Sequence, residues 1–152
     1  CRDTSDGRLV DIVSGSRYLK NFHGDGVPPE ERRSINLQLT AEINHRFKLN
    51  LTDAFCGFKS YRVACLPSLR TSESGYAMPL ELWVRAASAG LRIMELPVPL
   101  IYLEEKRSFG GILDDGQTRL SYYHRVLERS IHTAVRNGGP DSPTLLYGEP
   151  AE

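Results

Sequence analysis

Asp53-Ala54-Phe55-Cys56-Gly57-Phe58-Lys59-Ser60-Tyr61-Arg62 is followed closely by Gly75-Tyr76-Ala77-Met78-Pro79-Leu80-Glu81-Leu82-Trp83-Val84-Arg85-Ala86. The first stretch reads as a carboxylate entering a tight glycine turn, then a short basic and aromatic strand. The second reads as a helix with Pro near its first turn, Gly90 as its stop, and Glu81 and Arg85 one turn apart. A strand followed by a helix, with charged groups at the junction, predicts an α/β fold whose sheet edge binds an anion.

The same grammar extends in both directions. Leu9-Val10-Asp11-Ile12-Val13 reads as a buried strand ending at a Ser14-Gly15-Ser16-Arg17 turn. After a loop through Gly24, Gly26 and Pro28, Pro29 stands where a helix can begin. Glu30 and Glu31 suit the helix's amino-terminal dipole. Ile35, Leu39, Ile43 and Phe47 recur every four residues, so this helix runs to about Lys48 with one apolar face.

Gly57 to Val63 is expected as a strand and Ala64 to Leu69 as a helical turn. Leu91 to Leu96 and Val98 to Tyr102 are strand-like runs divided by Pro97. With Pro99 nearby, they predict an edge strand or a bend. Leu103 to Gly116 is a charged loop. A last helix is expected from Thr118 to Arg136, with Leu120, Tyr123, Leu127, Ile131 and Ala134 on its buried face. Residues 137–152 read as a flexible tail rich in Gly, Pro and Ser.

Composition narrows the function classes. The 152 residues are 40% hydrophobic and 25% charged, with 19 basic and 19 acidic side chains. That is one ordinary globular domain with no global field for nucleic acid or anionic membrane. The three cysteines (Cys1, Cys56, Cys65) and four histidines show no metal-ligand spacing, and the thiols read as reduced and structural. No apolar run reaches the roughly 18–20 residues that span a bilayer. The amino end is polar and begins without Met, which predicts a chain cut from a longer one.

The chain resembles glycosyltransferase family 2, in the branch of polyprenyl- or dolichyl-phosphate sugar synthases. The resemblance runs from about Asp11 to Leu127. It rests on Asp11 to Tyr18, the Arg32-bearing helix, the Asp53 to Arg62 and Gly75 to Ala86 blocks, and Arg107-Ser108-Phe109-Gly110-Gly111. It implies a GT-A fold, a Rossmann-like α/β sandwich, of which residues 1–136 would be the carboxy-terminal, acceptor-side half. It also implies inverting transfer from a nucleotide-sugar donor to a phosphate-bearing lipid or small acceptor.

Candidate residues follow from chemistry and resemblance together. Arg17, after the first strand, either closes a loop or holds a phosphate bidentately, and the resemblance implies an acceptor-phosphate contact there. Arg32 and Asn36 share a helix face that the resemblance turns to the lipid phosphate; Arg33 replaces Arg32 if the helix is rotated. Asp53 either serves the active site or caps its turn through backbone N–H groups. Lys59 and Arg62 are either solvated or partners of Glu81. Arg107, with Ser108, either closes over a pyrophosphate or lies on a solvated loop.

Departures from the family are informative. Many members begin the second helix with a Glu-Asp pair whose Asp deprotonates an acceptor hydroxyl. Met78 and Pro79 stand there instead. A phosphate acceptor needs no such base, because its oxygen is already anionic. Leu103 and Phe109 occupy places where the branch has an Arg and a Lys. No Asp-x-Asp occurs in the chain. The Mg²⁺ or Mn²⁺ of the full-length enzyme is therefore expected before Cys1, and the fragment alone is expected to be inactive.

The expected setting is cytoplasmic, with peripheral contact at the cytoplasmic membrane face. A non-catalytic phosphate- or partner-binding module is the alternative. A third reading is a self-associating fragment, since half a sandwich exposes an apolar sheet face.

Overall fold

The computed structural model describes residues 9–101 and 108–137. Its elements in chain order are β1 (Ile12–Ser16), α1 (Glu30–Phe47), β2 (Lys59–Tyr61), a 3-10 helix (Val63–Leu69) and α2 (Met78–Ser88). They continue with β3 (Ile93–Pro97), a second 3-10 helix (Gly111–Asp114) and α3 (Gly116–Asn137). β1 is central in a three-stranded mixed sheet, antiparallel to β2 and parallel to β3. The fold is therefore mixed α/β.

One apolar core joins the sheet to the helices. α1 contributes Ile35, Leu39 and Ile43, α2 contributes Leu80, Trp83 and Val84, and α3 contributes Tyr123, Val126, Leu127 and Ile131. The fourfold spacing read in α1 is this buried stripe, and Phe47 packs against the core partly exposed. Beside it runs a polar stripe, Asn36, Thr40 and Asn44, each one turn after the last. Asn44 exchanges two 2.8 Å hydrogen bonds with the backbone of Leu51, and Thr40 Oγ1 accepts from Ala54 N at 3.1 Å. The loop carrying Asp53 is thus held against α1 by side chains that satisfy its buried backbone.

Several boundaries differ from expectation, each for a local reason. Ser14, Gly15 and Ser16 are not a turn but the second half of β1, paired with β3 along its length. Gly15 sits there because of close approach. A Cβ on it would lie 3.1 Å from Cys56 Sγ and 3.2 Å from both the Phe58 carbonyl oxygen and a Val98 methyl. The expected turn at Gly57 lies earlier, at Ala54–Phe55, where Asp53 Oδ1 accepts from Phe55 N at 3.2 Å. β2 is only three residues long.

Pro97 ends β3, which is an edge strand as its prolines require, while Val98 to Ile101 form no strand. Tyr102 lies outside the described residues, as do Leu103 to Arg107 and the expected tail beyond Asn137.

α2 ends as its glycine predicts. Gly90 adopts φ 62°, Leu91 N donates to Ala86 O at 2.9 Å, and Gly90 N to Ala87 O at 3.0 Å. This double closure satisfies the last carbonyls of the helix. α3 begins at Gly116, two residues earlier than read, with Asp115 Oδ2 accepting from Thr118 N at 2.7 Å.

Arg62 does not reach Glu81. It pairs with Asp11 at the opposite end of the sheet, Nε to Oδ1 at 2.7 Å. Asp11 also accepts from Arg92 N at 2.9 Å, so one carboxylate closes the strand end towards both neighbours. Lys59 turns inward to the Cys56 carbonyl and lies 5.1 Å from the Trp83 ring. Among the described residues no helix is long and apolar enough to cross a membrane.

Candidate anion-binding site

β1 and β3 run parallel, and Arg17 follows the carboxyl end of β1. Ligands in open α/β sheets bind outside that end of the strands. A cavity of about 420 Å³ opens there, lined by Arg17, Arg32, Asn36 and Arg119 together with Tyr18, Phe55, Tyr76, Phe109 and Tyr123. Gly75, Met78 and Pro79 bring the start of α2 to the same wall. Among the described residues, three arginines and no carboxylate line it.

Asp53 is the hub behind this wall. It is fully buried and accepts from Arg17 Nε at 2.6 Å, Arg17 Nη2 at 2.9 Å, Arg17 N at 3.2 Å and Asn36 Nδ2 at 2.8 Å. Burial alone would push its carboxyl up. The Arg17 guanidinium and the Asn36 amide outweigh this and hold it below the usual carboxylate range. The same pairing keeps Arg17 protonated against its own desolvation. A guanidinium carries five donors and Asp53 takes two of them, so Arg17 keeps donors for a ligand.

The hub is itself fixed from the sheet. Glu95 on β3 accepts from Thr52 N at 2.8 Å, Thr52 Oγ1 at 2.7 Å and Asp53 N at 3.2 Å. Trp83 Nε1 donates to Ala54 O at 2.8 Å, joining the loop to α2. The facing loop, residues 72–77, is tied by two other carboxylates. Glu81 accepts from Ser72 N and Glu73 N at 2.9 and 2.8 Å while pairing with Arg85, and Glu73 accepts from Tyr122 and Arg129 of α3. Glu81 therefore braces the loop that brings Gly75 and Tyr76 to the cavity wall.

The structure brings Arg17, Arg32, Asn36 and Asp53 together. Of the two adjacent arginines on α1, Arg32 lines the cavity, whereas Arg33 stacks over the Tyr18 ring at 3.5 Å. Ser108 stands apart, on a neighbouring cleft, bonded to Asp114 at 2.7 Å. Arg107 lies outside the described residues.

Two groups escaped the sequence reading. Arg119 is 3% exposed, donates to Leu113 O at 2.8 Å, pairs with Glu31, and reaches the cavity from α3. It sits three residues before Tyr122, and its signal was an arginine close to the apolar face of an amphipathic helix. Glu95 was legible only as a charge inside the apolar run Ile93-Met94-Glu95-Leu96.

Comparison with known proteins gives one finding. The chain is 30% identical over 114 residues to the undecaprenyl-phosphate mannosyltransferase of Micrococcus luteus, covering 71% of this chain and 46% of that protein. The chain thus spans less than half the length of that relative. No family profile matches the chain, and no solved structure matches it.

Proposed function

We propose that this chain is the acceptor side of an inverting glycosyltransferase of family 2, the carboxy-terminal half of a GT-A domain. On this reading it moves a sugar from a nucleotide-sugar to a polyprenyl-phosphate-like acceptor. The observation that carries the proposal is the cavity at the carboxyl end of β1, lined among the described residues by three arginines and no carboxylate. Its aromatic walls suit the apolar body of a lipid, and its guanidinium edges suit the phosphate. The similarity to a mannosyltransferase acting on undecaprenyl phosphate supports the same acceptor class.

The chemistry is a single displacement. An oxygen of the acceptor phosphate attacks the anomeric carbon, and the bond from that carbon to the nucleoside diphosphate breaks with its electron pair. A phosphate monoester is at least singly charged at neutral pH, so no group must take a proton from it. Met78 and Pro79, which line the cavity where a base would stand, fit that requirement. Arg17, Arg32 and Arg119 hold the phosphate, and Asn36 completes the floor. Asp53 is a positioning residue that acts through Arg17. Arg107 would meet charge on the leaving diphosphate.

Among the described residues no group of three or more His, Cys, Asp or Glu side chains is placed to hold a metal. On this reading the Mg²⁺ or Mn²⁺ that would assist the leaving nucleotide belongs to the donor side of the full-length enzyme, as the family's Asp-x-Asp, absent from this sequence, implies. The isolated chain is expected to bind acceptor without turning it over.

Calorimetric titration with geranyl phosphate and with geraniol tests the assignment. The phosphate should bind and the alcohol should not. Arg17→Gln and Arg32→Gln should each weaken binding about 10- to 100-fold, the worth of a hydrogen bond between charged groups. Equal binding of phosphate and alcohol, or variants that bind as wild type, would contradict it.

A further inference from the structure

Two successive N–H groups leave the carboxyl end of β1, and each leads to a carboxylate. Arg17 N donates to Asp53 Oδ2 at 3.2 Å. Tyr18 N donates to Ser16 Oγ at 3.2 Å, and the fully buried Ser16 places that oxygen 2.5 Å from Thr52 Oγ1. Thr52 Oγ1 donates in turn to Glu95 Oε2 at 2.7 Å.

Proton count fixes the direction of this run. A hydroxyl has one proton to give. That of Thr52 goes to the Glu95 carboxylate, so Ser16 is the donor in the bond between the two hydroxyls. Tyr18 N–H, Ser16 O–H and Thr52 O–H therefore point one way and end on Glu95, an order in which each bond polarises the next. Glu95 also accepts from Thr52 N at 2.8 Å and from Asp53 N at 3.2 Å. One side chain on β3 thus holds the backbone of Asp53 directly and the backbone just after Arg17 through two hydroxyls.

We infer that Glu95 is a positioning residue for the anion site, setting where Arg17 presents its guanidinium through the Thr52 and Ser16 hydroxyls and through Asp53. The inference rests on the phosphate-acceptor reading of the cavity. Glu95 is not among the residues that line the cavity, so its effect on a ligand passes through Arg17. Glutamine cannot take its place, because an amide offers one oxygen where the carboxylate offers two. With that oxygen towards Thr52, the amide N–H groups face Asp53 N; with it towards Asp53, they face Thr52 N. Either way a backbone donor loses its acceptor and the loop that holds Arg17 moves.

Geranyl phosphate titrations of Glu95→Gln, Thr52→Val and Thr52→Ser, each alone and in an Arg17→Gln background, test this. Glu95→Gln and Thr52→Val should each weaken binding about tenfold, the worth of one misaligned charged hydrogen bond. Thr52→Ser keeps the hydroxyl and should stay within about threefold of wild type. In the Arg17→Gln background all three should act by less than about threefold, since the residue they position is gone. In ligand-free protein the Arg17 Nε–H resonance should move in Thr52→Val and hold in Thr52→Ser, with that of Arg62 unmoved in both. The threonine pair leaves both carboxylates in place and decides the matter even where Glu95→Gln unfolds the chain. Thr52→Val binding as wild type would overturn the positioning role. So would Thr52→Ser binding as weakly as Thr52→Val, or equal factors with and without Arg17, the mark of a merely structural role. Each of these leaves the acceptor reading standing. Wild type that binds no geranyl phosphate overturns both.

Discussion

Asp53 is a buried charge that braces the candidate site from behind, through Arg17 and Asn36. Breaking a buried pair by neutralising one partner is costly, because the other charge is left without compensation. Asp53→Asn keeps the size and removes the charge. It should lower stability by roughly 2–3 kcal/mol, below the largest such losses because Arg17 keeps a solvent-facing edge. Chemical denaturation reads that directly, and a loss under 0.5 kcal/mol, about the scatter of surface substitutions, would show that the pair is not structural.

The pH dependence follows from the same group. Asp53, Asp11 and Glu81 all titrate below their ordinary values in the folded chain. Hydrogen bonding from Arg92 N is the largest influence on Asp11. For Asp53 and Glu81 burial is the largest influence and opposes the shift, but their hydrogen-bonded partners prevail. A depressed carboxyl adds stability that is complete above its unfolded value, near 4, and is lost as pH falls through the folded value. The melting temperature should therefore stay level from neutrality to about pH 5 and fall below about pH 4. Asp53→Asn should flatten part of that fall.

At the scale of elements, the legible features were those written in local pattern. The apolar stripe of α1, the α2 stop at Gly90 and the edge position of β3 follow from periodicity, a left-handed glycine and proline. Other features depended on distant partners. Gly15 looked like a turn residue because nothing nearby in sequence shows that Cys56, Phe58 and Val98 press against it. Asp11 pairs across 51 positions with Arg62, and Arg119 enters the site from the last helix.

Two glycine substitutions separate these cases. Gly90→Ala meets nothing within 4 Å but must hold φ 62°, so it should cost about 1–2 kcal/mol through backbone strain alone. Gly15→Ala has no such strain, yet its Cβ meets three neighbours at 3.1–3.2 Å. It should cost about 1–3 kcal/mol through overpacking and shift the Asp53 loop, weakening geranyl phosphate binding as well. Gly90→Ala should leave binding intact. Thermal melts paired with titrations distinguish the two, and equal effects on binding would refute the distinction.

For the whole molecule, the arrangement of charge matters more than its total. Nineteen basic and nineteen acidic side chains cancel over the chain, yet among the described residues the cavity lining keeps three arginines and no acid. Asp53 lies behind it and Glu31 and Asp114 beside it. That separation is produced by tertiary contacts, which explains why the resemblance of motifs pointed to Arg17, Arg32 and Asn36 but missed Arg119.

The direct measurement is heteronuclear NMR of the arginine Nε–H groups as geranyl phosphate is added. The account predicts that Arg17, Arg32 and Arg119 shift together and saturate at one ligand per chain, while Arg46, Arg62 and Arg129 stay in place. Shifts centred on the latter arginines, or none at saturating ligand, would contradict it.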